Sequence, residues 1–212
     1  MLSKTDFMHL MIKLKVISNM CINDNEIVAT NGNVMSIGTL QNGIGQKLLL
    51  SPSLANEIIK DFADDDKIKI TIKDTKIIIW NDNLKIESNM QNGEYPLYNQ
   101  LLPQSDDNRT IKINKAELLK NLDIMSLVVE YAKPVIKMIF KNDNTLTMET
   151  KDGQTVMSIE NCTFAEPFEI YFNVHFLISA LKSTNGEFVY IQLNQPLSAA
   201  VLKSESQSRA YR

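Results

Sequence analysis

Two segments of this chain follow one plan at a fixed separation, which forces any fold to contain the same unit twice. From Lys47 to Phe62 the sequence reads KLLLSPSLANEIIKDF, an apolar run that leads into helical spacing. Ser51 suits an N-cap, Pro52 suits the first helical position, and Leu54, Ile58 and Phe62 make one stripe. Moving 122 positions on gives EIYFNVHFLISALKST. There Asn173 is the expected cap, Phe176, Leu177, Ala180 and Leu181 the stripe, and Asn185-Gly186 the stop. Ser51 falls on Asn173, Leu54 on Phe176, Ile59 on Leu181 and Lys60 on Lys182. Val-Met-Ser-Ile, beginning at Val34 and again at Val156, shares the offset. A Met- and Ile-rich chain yields such a tetrapeptide by chance, but chance does not repeat a cap, a core face and a lysine around it.

Each helix leads into alternating strand. KIKITIK puts Ile68, Ile70 and Ile72 on one face, and EFVYIQL does the same with Val189, Ile191 and Leu193. Both strands turn back, through Asp74-Thr75 into IIIW and through Asn194-Gln195-Pro196 into LSAAVL. Upstream, SKTDFMHLM and NKAELLKNL each open with a capping signal, Ser3 with Asp6 and Asn114 with Glu117, and enter an amphipathic helix. The offset here is 111, so the first copy lacks 11 residues before its Val-Met-Ser-Ile, and its sheet is expected to be shorter by part of a strand. The seam falls in NGEYPLYNQLLPQSDDNRT, where Pro96, Pro103 and a polar stretch break periodicity. The fold class read from this pattern is α+β, as two repeated domains at residues 1–104 and 105–212, each with two helices packed on antiparallel sheets.

The first helix buries Phe7, Leu10, Met11 and Leu14, which turns His9 and Lys13 to the opposite face with Lys4 at the flank. Its counterpart buries Leu118, Leu122 and Met125, and its Lys115 and Lys120 fall on Lys4 and His9. Lys60 falls on Lys182. Lysines decorate any solvated helix, but three recurring cationic positions in a chain of net charge −3 favour a helical surface for a phosphate backbone. Lysines that touch only phosphates carry no sequence readout, which suits non-specific or sliding contact.

Catalytic motifs are absent: the two histidines, His9 and His175, lie in different halves, and there is no Walker loop or nucleophile elbow. Gly43-Ile44-Gly45 leads into a strand, so it reads as a turn and not a phosphate cradle. Asp64-Asp65-Asp66 reads as a solvated turn rather than a cation site. Cys21 and Cys162 have no Cys or His at ligand spacing, which leaves them as buried thiols with no zinc site. No apolar run reaches the roughly 18 residues of a spanning helix, and the charged start is not that of a signal peptide. No enzyme activity, cofactor, metal or membrane association is expected, and the compartment is the cytoplasm.

ATNGNVMSI (Ala29 to Ile37) resembles the Ala-Thr-Asp-Gly-x-Arg-Leu signature of the bacterial DNA polymerase III β subunit, the sliding clamp. NGEYPLYNQLLP is similar to its Gly-Glu-Phe-Pro-x-Tyr run, and EIYFNVHFLISALKS with NQPLSAAVL is similar to its last-domain helix and Pro-Leu-Ser strand. The resemblance covers nearly the whole chain and corresponds to the second and third of the family's three domains. It implies DNA-clamp domains whose helices line a hole around duplex DNA. It also implies a processivity factor for DNA replication that binds DNA polymerase and clamp-loader peptides. Lys4, His9, Lys13, Lys60, Lys115, Lys120 and Lys182 become candidate pore residues. Thr30, Gly32 and Met35 become one wall of a partner-peptide pocket, with Pro103 as connector and Leu197 and Ala199 as the far wall. These small and apolar groups would also serve simply to pack a domain junction.

Three departures accompany the likeness. The family's first domain has no counterpart, so six domains require a homo-oligomer of three chains. Asn31 and Val34 stand where the signature has Asp and Arg. The family's final strand is not matched by the ending SQSRAYR. A clamp-related interaction or regulatory protein that never closes a ring is the alternative expectation.

Overall fold

The computed structural model describes residues 2–3, 20–39, 43–63, 67–102, 110–141, 143–153, 155–160, 162, 166–193 and 199–204. The expected first helix, with Lys4, His9 and Lys13, lies outside the described residues, as do Asp64 to Asp66, Pro103 and Leu197. The chain divides into two compact units, Met1–Pro96 and Leu97–Arg212. Tyr95 stays with the first unit because its ring is buried and its hydroxyl donates to the Val28 carbonyl at 3.3 Å.

The first unit runs β1 (Leu2–Ser3), β2 (Met20–Asn23), β3 (Glu26–Thr30), β4 (Met35–Thr39), β5 (Lys47–Leu50), α1 (Pro52–Asp61), β6 (Lys67–Lys73), β7 (Lys76–Trp80) and β8 (Lys85–Asn89). Its two antiparallel sheets have the orders β4-β3-β2-β5 and β1-β6-β7-β8. After a 3-10 turn at Tyr98–Leu101, the second unit runs β9 (Thr110–Asn114), α2 (Lys115–Val128), β10 (Val135–Lys141), β11 (Thr145–Thr150), β12 (Val156–Ile159), β13 (Phe168–Asn173), α3 (Val174–Ser183), β14 (Phe188–Gln192) and β15 (Val201–Ser204). Its sheets have the orders β12-β11-β10-β13 and β15-β14-β9. The two units therefore share one strand order, with β2 to β5 matching β10 to β13, α1 matching α3, and β1, β6 and β7 matching β9, β14 and β15. The shortened first copy keeps all its strands, but β2 has 4 residues where β10 has 7.

Local chemistry sets the helix starts. Ser51 Oγ accepts the Leu54 N–H, Asn114 Oδ1 accepts the Glu117 N–H, and Asn173 Oδ1 accepts those of His175 and Phe176. Each bond satisfies a donor that the first helical turn leaves open, at about 1 kcal/mol per cap. One expected stripe is out of phase. Val174, Leu177, Ile178 and Leu181 are buried in α3, whereas Phe176 is 37% exposed. With Asn173 as cap, positions 174, 177, 178 and 181 form the i, i+3, i+4, i+7 face, and Phe176 falls off it.

Each unit has its own core. In the first, Met20, Ile22, Ile27, Leu48 and Leu50 meet Leu54, Ile58 and Phe62 at α1 and Ile68, Ile77 and Ile79 of the second sheet. In the second, Leu118, Leu122 and Met125 of α2 meet Ile136, Met138 and Phe140 of β10 and the buried face of α3. The Phe140 and Phe168 rings stack at 4.4 Å. Cys21 and Cys162 are buried free thiols. Burial pushes both thiols up, Cys162 to about 11, which keeps them protonated and poorly nucleophilic.

Two strand assignments differ from the sequence reading. The return strand of the second ribbon begins at Val201, later than LSAAVL suggests, so Ala199 precedes it. Strand β8 is not among the expected elements. It follows a turn in which Asn81 Oδ1 accepts the N–H groups of Asn83 and Leu84, an Asn-led turn that the Asn-Asp-Asn string after IIIW does signal.

Candidate functional site

The Ala-Thr-Asn-Gly segment forms the hairpin turn between β3 and β4. Asn31 Oδ1 accepts the Asn33 N–H at 3.0 Å and the Val34 N–H at 2.8 Å, and the Asn31 N–H donates to the Val34 carbonyl at 3.1 Å. The Thr30 hydroxyl donates to the same carbonyl at 3.0 Å and accepts the Gly32 N–H at 3.1 Å. Gly32 sits at φ +87° with open space where a Cβ would go, so its requirement is backbone conformation and not room. Thr30 and Met35 are cross-strand partners, so their half-buried side chains emerge side by side on one face. Asn31 thus supplies the acceptor that an Asp would supply at this position. Asn31→Ala should lower stability by about 1 kcal/mol in thermal melts, and Asn31→Asp should leave it nearly unchanged.

The four candidate lysines among the described residues, Lys60, Lys115, Lys120 and Lys182, split into two kinds. Lys60, Lys120 and Lys182 are exposed on α1, α2 and α3. Lys115 is half-buried, and its ammonium donates to the Thr184 carbonyl, tying the start of α2 to the end of α3. Lys182 lies 3.9 Å from Asp123, three residues beyond Lys120 on α2, which brings Lys120, Asp123 and Lys182 onto one surface. Glu57, Asp61, Glu117 and Asp123 are also exposed on these helices. The helical faces among the described residues are therefore mixed in sign rather than positive.

No group of three or more His, Cys, Asp or Glu among the described residues could hold a metal ion, and no helix among them is long and apolar enough to cross a membrane. Residues 99–211 match the family described as DNA polymerase III beta subunit, C-terminal domain. The chain belongs to the DNA polymerase III beta subunit family. The beta sliding clamp of Synechococcus elongatus is 32% identical over 127 residues, which are 58% of this chain and 33% of that protein. The beta sliding clamp of Synechocystis is 22% identical over 194 residues, 80% of this chain and 49% of that protein. The crystal structure of the DNA polymerase III subunit beta from Pseudomonas aeruginosa aligns with a TM-score of 0.81 and 15% identity over 97% of this chain and 62% of that one. That structural likeness assigns the clamp fold, α+β with antiparallel sheets. The chain spans between a third and a half of the two curated relatives.

One feature of this beta-subunit family member is not marked by any of the motifs. Ile124, Leu127, Val128 and Tyr131 are exposed at the end of α2 and just after it, Leu127 by 84% and Tyr131 by 97%. Their signal is present in the sequence, because the stripe Leu118, Leu122, Met125 leaves Ile124, Leu127 and Val128 off the core face. In the same unit, β12 pairs only with β11 among the described residues, so its sheet has an open edge there.

Proposed function

We propose that this chain is a sliding-clamp-like processivity factor, a non-catalytic cytoplasmic protein that encircles duplex DNA and tethers replication proteins. The observation that carries the reading is the same sheet order twice in one chain that belongs to the clamp family. Three copies of two units supply the six domains of the family's ring, joined head to tail. The exposed apolar end of α2 supports self-association, since such a cluster of large side chains is costly to leave in water. Lys60, Lys120 and Lys182, with Lys4, His9 and Lys13 of the segment expected from the sequence to be helical, are the proposed phosphate contacts. Thr30, Gly32, Met35, Pro103, Leu197 and Ala199 are the proposed peptide pocket for polymerase and loader segments.

Native mass spectrometry tests the assembly. A trimer is expected, and Leu127→Glu should shift it to monomer while leaving the circular dichroism spectrum intact. A monomer or dimer for the unaltered chain would sink the trimeric ring. The mixed charge of the described helix faces favours a second reading, in which the protein occupies clamp partners without closing a ring. Peptide binding by a monomer that is not retained on DNA would select it.

A further inference from the structure

Among the described residues, most of the lysines lie in strands. The solvent face of β6, β7 and β8 carries Lys67, Lys69, Lys73, Lys76 and Lys85 against the single acid Glu87. Lys85 hydrogen-bonds that acid and holds its carboxyl below the usual range. On this face Trp80 lies directly between Lys69 on β6 and Lys85 on β8, with the Lys69 ammonium 4.5 Å from the indole centre. The indole N–H donates to Thr71 Oγ1 at 3.1 Å, which fixes the ring's orientation. The second unit repeats the arrangement with different residues. Tyr190 on β14 lies between Lys112 on β9 and Lys203 on β15, and the Lys112 ammonium sits 4.2 Å from the Phe188 ring and 5.9 Å from that of Tyr190. The strands of this second sheet, Thr110–Asn114, Phe188–Gln192 and Val201–Ser204, contain no acidic residue.

We propose that these lysine-aromatic-lysine rows bind single-stranded nucleic acid. An aromatic ring held on a rigid sheet offers a stacking platform to any base, and a cation on each neighbouring strand meets the phosphates on either side. The flanking strands of a row lie about 10 Å apart, the reach of one stacked nucleotide with its adjoining phosphates. A duplex hides its base faces and would use only the lysines. Charge alone would also draw an acidic peptide, but a peptide of carboxylates gives the ring nothing to stack on. Ring closure is not required, because each row lies within one unit.

Trp80 is the chain's only tryptophan and therefore a built-in reporter. Oligothymidylate of about twelve nucleotides, within the site sizes of such platforms, should quench its fluorescence at low salt, and oligouridylate of that length should do the same. Trp80→Ala should weaken binding by about tenfold, read by anisotropy of a labelled oligomer, whereas Trp80→Phe should restore most of it. Lys69→Ala with Lys85→Ala should lower the salt slope by about 1.4. Equal binding and quenching by an abasic oligomer or by polyglutamate would overturn the proposal, as would a duplex that competes as well as the single strand. Lys60→Ala, Lys120→Ala and Lys182→Ala should leave this binding unchanged, so its failure and that of the duplex reading are distinguishable.

Discussion

Phe140→Ala should cost about 3–5 kcal/mol, a large share of the roughly 5–15 kcal/mol by which a domain is commonly stable. Phe140 lies in β10, a central strand of its sheet, where its cross-strand partners are Leu146 on β11 and Phe168 on β13. It is 1% exposed and stacks on Phe168. Truncation loses the transfer energy of the ring, leaves a cavity in the second core, and removes an aromatic pair worth about 1 kcal/mol in its own right. Phe140→Leu should recover most of the loss, since it keeps apolarity and much of the volume. The drop should appear in urea unfolding followed by circular dichroism, while Trp80 fluorescence follows the other unit. A loss below about 1 kcal/mol, the size of an ordinary surface-to-core average, would mean that this sheet is not the centre of the second core.

Reversing Lys60, Lys120 and Lys182 to Glu together should abolish direct binding to short linear duplex, and changing all three to Ala should reduce the slope of log affinity against log salt by about three. The three are exposed, each on a helix, where a long side chain can reach a phosphate. Lys115 is the internal control. Its ammonium is engaged by the Thr184 carbonyl, so Lys115→Ala should lower stability by about 1.5 kcal/mol and leave the salt slope unaltered. Asp123 opposes Lys182, and Asp123→Asn should strengthen duplex binding. An unchanged slope in the triple alanine variant would remove these helices from the DNA contact.

Features set by neighbours in the chain are legible in the sequence. Ser51, Asn114 and Asn173 cap as expected, and Leu118, Leu122, Met125, Leu54, Ile58 and Phe62 are buried as expected, because a cap and a helical stripe are decided within a few residues. Phe176 is misplaced by the periodicity because VHFLISALKS offers two overlapping apolar faces, one through Phe176 and Ala180 and one through Val174 and Ile178, that share Leu177 and Leu181. The Ala-Thr-Asn-Gly turn is visible as a motif, yet the two N–H groups that Asn31 accepts come together only when the hairpin closes. What sequence order hides is register. Lys112, Tyr190 and Lys203 are far apart along the chain, and only the pairing of β9, β14 and β15 sets them in one row. Lys115 reads as another surface cation, and only the packing of α2 against α3 brings it to Thr184.

Encirclement is a topological property, and retention on closed circular DNA tests it most directly. The protein is loaded onto nicked circular duplex, washed at moderate salt, and the DNA is then cut once. Protein should stay on the intact circle and be released within the time of cutting, because a ring slides off a free end. Equal retention on circular and linear DNA would contradict encirclement.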